Sequence, residues 1–168
     1  MSKLISDILR DAVCEQIGHE IYNGNLYAYM AAFLKNKGLD NLAKLFEKQR
    51  EEEYEHSKEF INLLTDLGAE VYIPEINEVK IPFEDIVSIA NAFLEREIIT
   101  TENINSIRKL ATSEDNPVVE VHAKKMISIQ QSEYEEATTF LDNALLCAGQ
   151  DSWWKAKVWN DSLGGWLK

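Results

Sequence analysis

Four long stretches of this 168-residue chain carry apolar residues at alternating steps of four and three. That spacing places the apolar residues on one face of an α-helix, which is the pattern that the core of a helical bundle requires. Glycine and proline, which an all-β fold would need for its many turns, number only seven and three. The pattern therefore predicts an all-α fold of four long helices packed around one core.

Turn-forming residues indicate where these helices end. The predicted segments are residues 4–37, 40–67, 83–112 and 117–148. Gly38, Gly68 and Gly149 follow three of them, as glycine commonly does at a helix C-terminus, and Asp40 is the expected N-cap of the second. Two connections are short, whereas residues 69–82 form a long one that should be extended. We therefore expect two antiparallel hairpins joined by a long crossover.

Each stripe is apolar at both ends and acidic near its middle. The inward-facing residues of these middles are Glu20, Glu53, His56, Glu97, Glu133 and Glu136. Burying an ionised carboxylate is costly unless it is paired, so a single inward glutamate would favour a hydrogen-bonded core residue over a binding site. Five of them, on four helices, favour a common site, because the middles of antiparallel helices lie at one level of a bundle. We expect the six side chains to converge.

Converging carboxylates indicate bound cations, since five at one level would repel one another and force some to take up protons. Two divalent ions would nearly balance the charge. Glu53 and His56 are three residues apart, so both can reach one ion, and Glu133 and Glu136 repeat the spacing. Oxygen donors with one imidazole suit iron or manganese better than soft metals. The alternative is a structural bundle whose acids form a buried network without metal.

The chain resembles the ferritin family over about residues 8–148. The resemblance is carried by EQIGHEIY at 15–22, NLYAYMAA at 25–32 and QREEEYEH at 49–56, and by the order Glu, Glu-x-x-His, Glu, Glu-x-x-Glu. It implies a ferritin-like four-helix bundle with a short C-terminal fifth helix. It also implies a di-iron centre that oxidises Fe(II) to Fe(III) with O2 or H2O2, a ferroxidase activity, and iron storage in a homo-oligomer such as a cage.

The resemblance further implies roles for single residues. Glu20 and His56 would bind the first iron, and Glu53 would bridge both ions. Glu97 and Glu136 would bind the second iron.

Tyr27 resembles the tyrosine that hydrogen-bonds to such a centre or donates an electron to it, with simple packing as the alternative; Gln49 would orient a ligand.

Glu133 stands where many ferritins have a non-bridging glutamine and where bacterioferritins have a bridging glutamate, and Glu136 stands where bacterioferritins have histidine. This mixed set leaves open whether iron stays as a cofactor or passes to a mineral. Tyr54 replaces the haem-binding methionine of bacterioferritins, so no haem is predicted there.

Charge and hydropathy limit the partners. The formal charge of −12 argues against a nucleic acid or an anionic membrane, both of which attract clusters of Lys and Arg. No apolar run approaches the roughly 18 residues of a membrane span, and no secretory signal is evident, so the expected location is the cytoplasm.

The alternative function is a non-storing di-iron redox enzyme, a rubrerythrin-type peroxidase or an oxygenase, although the Cys-x-x-Cys iron domain usual in rubrerythrins is missing.

The bundle domain should occupy residues 1–149, followed by a C-terminal helix or tail at residues 150–168. That tail carries all four tryptophans, Trp153, Trp154, Trp159 and Trp166. Clustered tryptophans indicate an apolar face that packs on something. Three interpretations stay open: cage assembly, docking on the chain's own bundle, and docking as cargo in a protein shell. The last rests on SLGGWLK at 162–168, which faintly resembles the peptides that dock ferritin-like cargo inside encapsulin shells.

Overall fold

The chain folds as a helical bundle in the computed structural model, which describes residues 4–164. Its helices are α1 (Asp7–Asn36), α2 (Asp40–Asp66), α3 (Ile86–Ser113), α4 (Pro117–Leu145) and α5 (Ser152–Gly164). α1 packs along α2 and α3 packs along α4, while α1 also contacts α3. Residues 69–84 form neither helix nor strand and connect the two hairpins. The predicted all-α bundle of two hairpins, with a long crossover and a short C-terminal helix, is confirmed.

Two of the three predicted glycines end helices. Gly149 has a positive φ angle (+84°), but α4 ends at Leu145 with Leu146 as its C-cap, so the prediction that Gly149 ends this helix is wrong. Gly38 and Gly68, with φ angles of +73° and +67°, directly follow the C-cap residues of α1 and α2. This left-handed conformation is free of strain for glycine and closes the last turn of a helix.

The N-terminus of α2 is capped by a distant residue, and the prediction that Asp40 is its cap is wrong. Asp40 is the first helical residue, and the N-cap residue, Leu39, has no side-chain capping bond. Instead, the side-chain oxygen of Asn160 in α5 accepts hydrogen bonds from the backbone N–H groups of Asn41 (2.9 Å) and Leu42 (3.0 Å). Leu39 is buried in the core. Its burial fixes the start of α2 so that Asp40 already lies inside the helix.

The crossover is anchored on α1 at two points. Gly18 provides room for it, because a Cβ at this position would collide with the ring of Pro74. Farther along, the Tyr29 hydroxyl donates a hydrogen bond to the backbone carbonyl of Ile81 (2.7 Å). The crossover therefore follows a fixed path over α1, on the outside of the bundle.

The apolar interior consists of two clusters, and each draws residues from all four long helices. The first is rich in aromatic rings, including Tyr27, Phe46, Phe93 and Phe140. The second is mainly aliphatic, including Leu9, Leu64, Ile104 and Met126. The layer between the two clusters is polar, and it contains the acidic interruptions of the four stripes.

α5 folds back over one end of the bundle. Trp153 and Trp159 pack on aromatic residues of α1 and α4, with ring centroids 5.9 and 5.0 Å apart. Trp154 is 69% exposed. Trp166 lies outside the described residues, as does most of the tail sequence that suggested docking in a protein shell.

Candidate metal centre

Five of the six predicted metal ligands lie buried in the polar layer. Glu20, Glu53 and Glu97 are fully inaccessible to solvent, Glu133 is 4% exposed and His56 is 7% exposed. α1 contributes Glu20, α2 contributes Glu53 and His56, and α3 and α4 contribute one glutamate each. Because every long helix takes part, packing of the bundle is what brings the five side chains together.

These five residues form two groups that share one carboxylate. In Glu20, Glu53 and His56, the possible ligand atoms lie within 4.8 Å of one another, and the same holds for Glu53, Glu97 and Glu133. His56 Nδ1 lies 4.0 Å from Glu20 and 3.9 Å from Glu53, and its Nε2 lies 3.6 Å from Glu133. Such an arrangement can hold two cations, one on each side of Glu53.

Glu136 belongs to neither group, and its role as a ligand of the second iron stays a prediction. Its side chain is 39% exposed, and its carboxylate lies 3.7 Å from Lys48 Nζ. Gln49, the predicted orienting residue, donates a hydrogen bond to Glu136 (2.7 Å). Glu136 lies one turn beyond Glu133, at the edge of the layer, where it pairs with the buried Gln49 and the exposed Lys48 of α2.

Buried amides hold one oxygen of each of three carboxylates. The donor–acceptor pairs are Gln16 with Glu20 (2.8 Å), Asn23 with Glu53 (3.2 Å) and Gln130 with Glu97 (2.9 Å). Other buried polar atoms of the cluster have no hydrogen-bond partner, namely Glu20 Oε2, Glu53 Oε1, Glu133 Oε2 and His56 Nδ1. Buried polar atoms are nearly always partnered. Four unpartnered ligand-type atoms at one level therefore form a candidate site for a cation.

Tyr27 lies at the boundary between the polar layer and the aromatic cluster. Its side chain is fully buried, and its hydroxyl donates a hydrogen bond to Glu97 Oε1. Its ring packs edge-on against Phe93, with centroids 5.3 Å apart. Burial, reinforced by the charge of Glu97, raises the pKa of the Tyr27 hydroxyl well above its usual value. Tyr27 therefore remains a proton donor to Glu97 at neutral pH.

Burial raises the pKa of three carboxyl groups in the layer. For Glu53, the neighbouring charge of Glu20 raises the pKa further. For Glu97, burial raises the pKa and the hydrogen bond from Tyr27 partly offsets that rise. Burial together with the charge of Glu97 raises the pKa of Glu133 to about 9. Without a cation, the layer therefore holds protons at neutral pH.

The three amide donors, Gln16, Asn23 and Gln130, were not identified from the sequence. Each lies one position beside the stripe of its helix, so the strict spacing passes over it. The helical spacing of four residues would have found one of them. Gln16 precedes its partner Glu20 by four residues, a distance that brings side chains together on a helix, whereas the partners of Asn23 and Gln130 lie on other helices.

The fold and its buried carboxylate layer define the ferritin-like class of four-helix bundle. The Ferritin-like domain family matches residues 10–146, and this chain belongs to that family. No helix among residues 4–164 combines the length and the apolar character needed to cross a bilayer.

Similar proteins agree with this assignment. Bacterial non-heme ferritin from Staphylococcus aureus (strain USA300) is 25% identical over 149 residues, which cover 89% of each chain. Its counterpart from Staphylococcus saprophyticus is 27% identical over 111 residues, which cover 66% of each chain. Among solved structures, an open pore ferritin from the hyperthermophilic archaeon Archaeoglobus fulgidus has a TM-score of 0.89. That likeness covers 96% of this chain and 97% of the other at 20% identity, and it shows the shared fold.

Proposed function

We propose that this chain is an iron-storing ferritin that binds Fe(II) in pairs in the polar layer and oxidises it to Fe(III). The observation that carries the proposal is the pair of ligand groups that share Glu53, with unpartnered donor atoms on both sides of it. Carboxylate oxygens with one imidazole are donors that suit iron. The similarity to bacterial non-heme ferritins supports the same function.

In this proposal, Glu20 and His56 hold one ferrous ion, Glu97 and Glu133 hold the other, and Glu53 binds both. Four ionised carboxylates balance the charge of two divalent ions. The carboxyl groups that hold protons in the metal-free layer release them when the ions bind, because a metal ligand must be deprotonated.

The reaction draws one electron from each ferrous ion. Two electrons and two protons convert O2 into H2O2, or H2O2 into two molecules of water. Tyr27 keeps Glu97 in place through its hydroxyl, and in our proposal it donates the second electron when only one ferrous ion is bound. The remaining side chains of the layer fix the number and spacing of ligands around the two ions.

Storage requires iron to leave the layer and accumulate inside an assembly of many copies. We propose such a homo-oligomer, in the cytoplasm, on the strength of family membership and the close fold match to an open pore ferritin. No haem is part of the proposal. Tyr54, at the position where haem would be bound, instead packs its ring on Gly24 and donates a hydrogen bond to Asn25 (2.7 Å).

The test is an anaerobic Fe(II) titration followed by aerobic stopped-flow absorbance, on protein whose mass is measured by light scattering. We expect two ions per chain, a fast ferric signal and continued uptake by a large assembly. Two ions that cycle in a small assembly without further uptake would indicate a non-storing di-iron redox enzyme instead. Failure to bind two ions would refute the proposed centre.

A matched pair of variants makes the test specific. Glu53→Gln removes the shared carboxylate at nearly constant volume and should abolish paired binding. Glu55→Gln, two residues along α2 and 68% exposed in its side chain, makes the same change outside the layer and should bind iron as the wild type does.

A further inference from the structure

We propose that Arg96 and Asn23 form a positioning unit that fixes the orientation of the Glu53 carboxylate. The inference rests on the proposed function, in which Glu53 binds both ions. Neither residue is itself a proposed ligand of the ions. Arg96 of α3 orients the side-chain amide of Asn23 in α1, and that amide donates a hydrogen bond to Glu53 in α2.

Asn23 makes three hydrogen bonds in the interior of the bundle, where it is fully buried. Its side-chain nitrogen donates to Glu53 Oε2 (3.2 Å) and to the hydroxyl of Thr100 (2.9 Å). Its side-chain oxygen accepts from Arg96 Nε (2.8 Å). One amide therefore joins three helices next to the shared ligand.

The chemistry of Arg96 determines which way this amide faces. A guanidinium group has donors only, so the atom of Asn23 that faces Arg96 must be the oxygen. The amide nitrogen is then directed at Glu53 and Thr100. The reversed amide would place its nitrogen against the Arg96 N–H and its oxygen against the carboxylate, and both contacts would be repulsive.

The orientation of Glu53 follows from that of Asn23. Glu53 Oε2 is held by the amide, whereas Oε1 has no hydrogen-bond partner and lies 3.9 Å from His56 Nδ1. A fixed carboxylate loses less conformational freedom on binding an ion than a mobile one does. Since both ligand groups use Glu53, loss of this orientation should weaken the binding of both ions.

Arg96 is itself held in place from outside the layer. Its guanidinium carbon lies 4.9 Å from the centre of the Tyr22 ring, a cation–π contact. The residue is half-buried and lines a cleft of about 350 Å³ between α1 and the crossover, together with His19 and Pro74. The positioning unit thus connects this cleft with the candidate metal centre. Because Arg96 is only half-buried, its replacement leaves the apolar core intact.

The proposal is tested with Co(II), whose visible absorption reports coordination number and geometry without turnover. Asn23→Leu and Arg96→Leu should each weaken Co(II) binding by about 10-fold to 100-fold, as loss of an outer hydrogen-bond partner typically does. Both should change the absorption spectrum. Arg96→Lys keeps a cation that only donates, so its affinity and spectrum should lie closer to those of wild type than to those of Arg96→Leu.

A double variant tests whether Arg96 acts through Asn23. Asn23→Leu combined with Arg96→Leu should bind Co(II) no more weakly than Asn23→Leu alone, because residues that act as one unit are not additive. Tyr29→Phe, which removes one hydrogen bond of α1 far from the layer, is the control and should bind as wild type does. The Arg96 variants decide the matter if Asn23→Leu does not fold.

The outcomes separate this inference from the proposed function. Wild type that binds fewer than two Co(II) ions per chain would refute the proposed centre and the inference with it. Wild type that binds two ions, with Arg96→Leu unchanged in affinity and spectrum, would overturn the inference alone.

Discussion

Asn160 caps a helix that lies almost 120 residues earlier in the chain: its side-chain oxygen accepts the backbone N–H of Leu42 at a distance of 3.0 Å. The same oxygen accepts the N–H of Asn41, and the backbone carbonyl of Asn160 accepts from the Asn41 side chain (3.0 Å). α5 therefore contributes to the stability of α2 through hydrogen bonds as well as through its tryptophans.

Replacing this cap should destabilise the bundle. Asn160→Ala removes the acceptor of two buried N–H bonds, and loss of a helix cap costs about 0.5 to 2 kcal/mol. Urea unfolding followed by circular dichroism measures the change. Val158→Ala, at an exposed position of the same helix, is the control and should change stability much less, because its side chain is 51% exposed and takes no part in the cap. Equal effects of the two substitutions would show that Asn160 is not a cap in solution.

Glu53 should be needed for metal binding but should not stabilise the folded metal-free protein. In metal-free protein, Glu53→Gln removes a carboxyl group whose burial is unfavourable when it is charged, so the unfolding free energy should stay the same or rise. Thermal unfolding after chelation measures this change. A mutant that melts far below wild type would mean that Glu53 holds the fold together, which is incompatible with our account of the layer.

The metal-free protein should lose stability as the pH rises from about 4.5 to 9. The pKa of Glu133 is about 9 in the folded chain, above the usual value of 4.5, so the folded state binds the proton more tightly than the unfolded state. The stability from this group is complete below the unfolded pKa and disappears as the pH passes the folded one. Denaturation at several pH values measures the slope. Glu133→Gln should reduce it, and an unchanged slope would contradict the assignment.

Tyr27→Phe should impair the centre without disrupting the aromatic cluster. The substitution keeps the ring that packs on Phe93 and removes the hydroxyl that donates to Glu97. We expect a loss of about 1 to 3 kcal/mol in metal-free stability, as for a buried acceptor that loses its hydrogen-bond donor, and slower formation of the ferric signal. Tyr29→Phe removes a hydroxyl from the same helix outside the layer. An oxidation rate reduced equally in both variants would exclude a specific role for Tyr27.

The helical stripes allowed most of the fold and much of the site to be predicted. Glu20, Glu53 and Glu97 occupy stripe positions, and the structure buries all three because the apolar residues on either side must face the core. The same period also places Glu136 on a stripe, but this side chain is 39% exposed. Steps of three and four tolerate residues at the edge of a face, and only packing decides whether such a residue points inward.

Two other features depend on contacts that no local pattern encodes. The cap of α2 is supplied by Asn160, whereas the sequence pattern predicted Asp40 because an acidic residue lies at the start of that helix. The orientation of Asn23 depends on Arg96, 73 residues away in the chain. In both cases a side-chain amide finds its partner only after the helices have assembled.

The division of the interior into two clusters links the geometry of the proposed metal centre to the packing of the whole bundle. Each cluster contains side chains of α1, α2, α3 and α4, so neither belongs to one hairpin. Separation of the two hairpins would disrupt both clusters, and it would also separate the carboxylates of the layer. The geometry of the carboxylate layer therefore depends on the packing between the hairpins as much as on either hairpin alone.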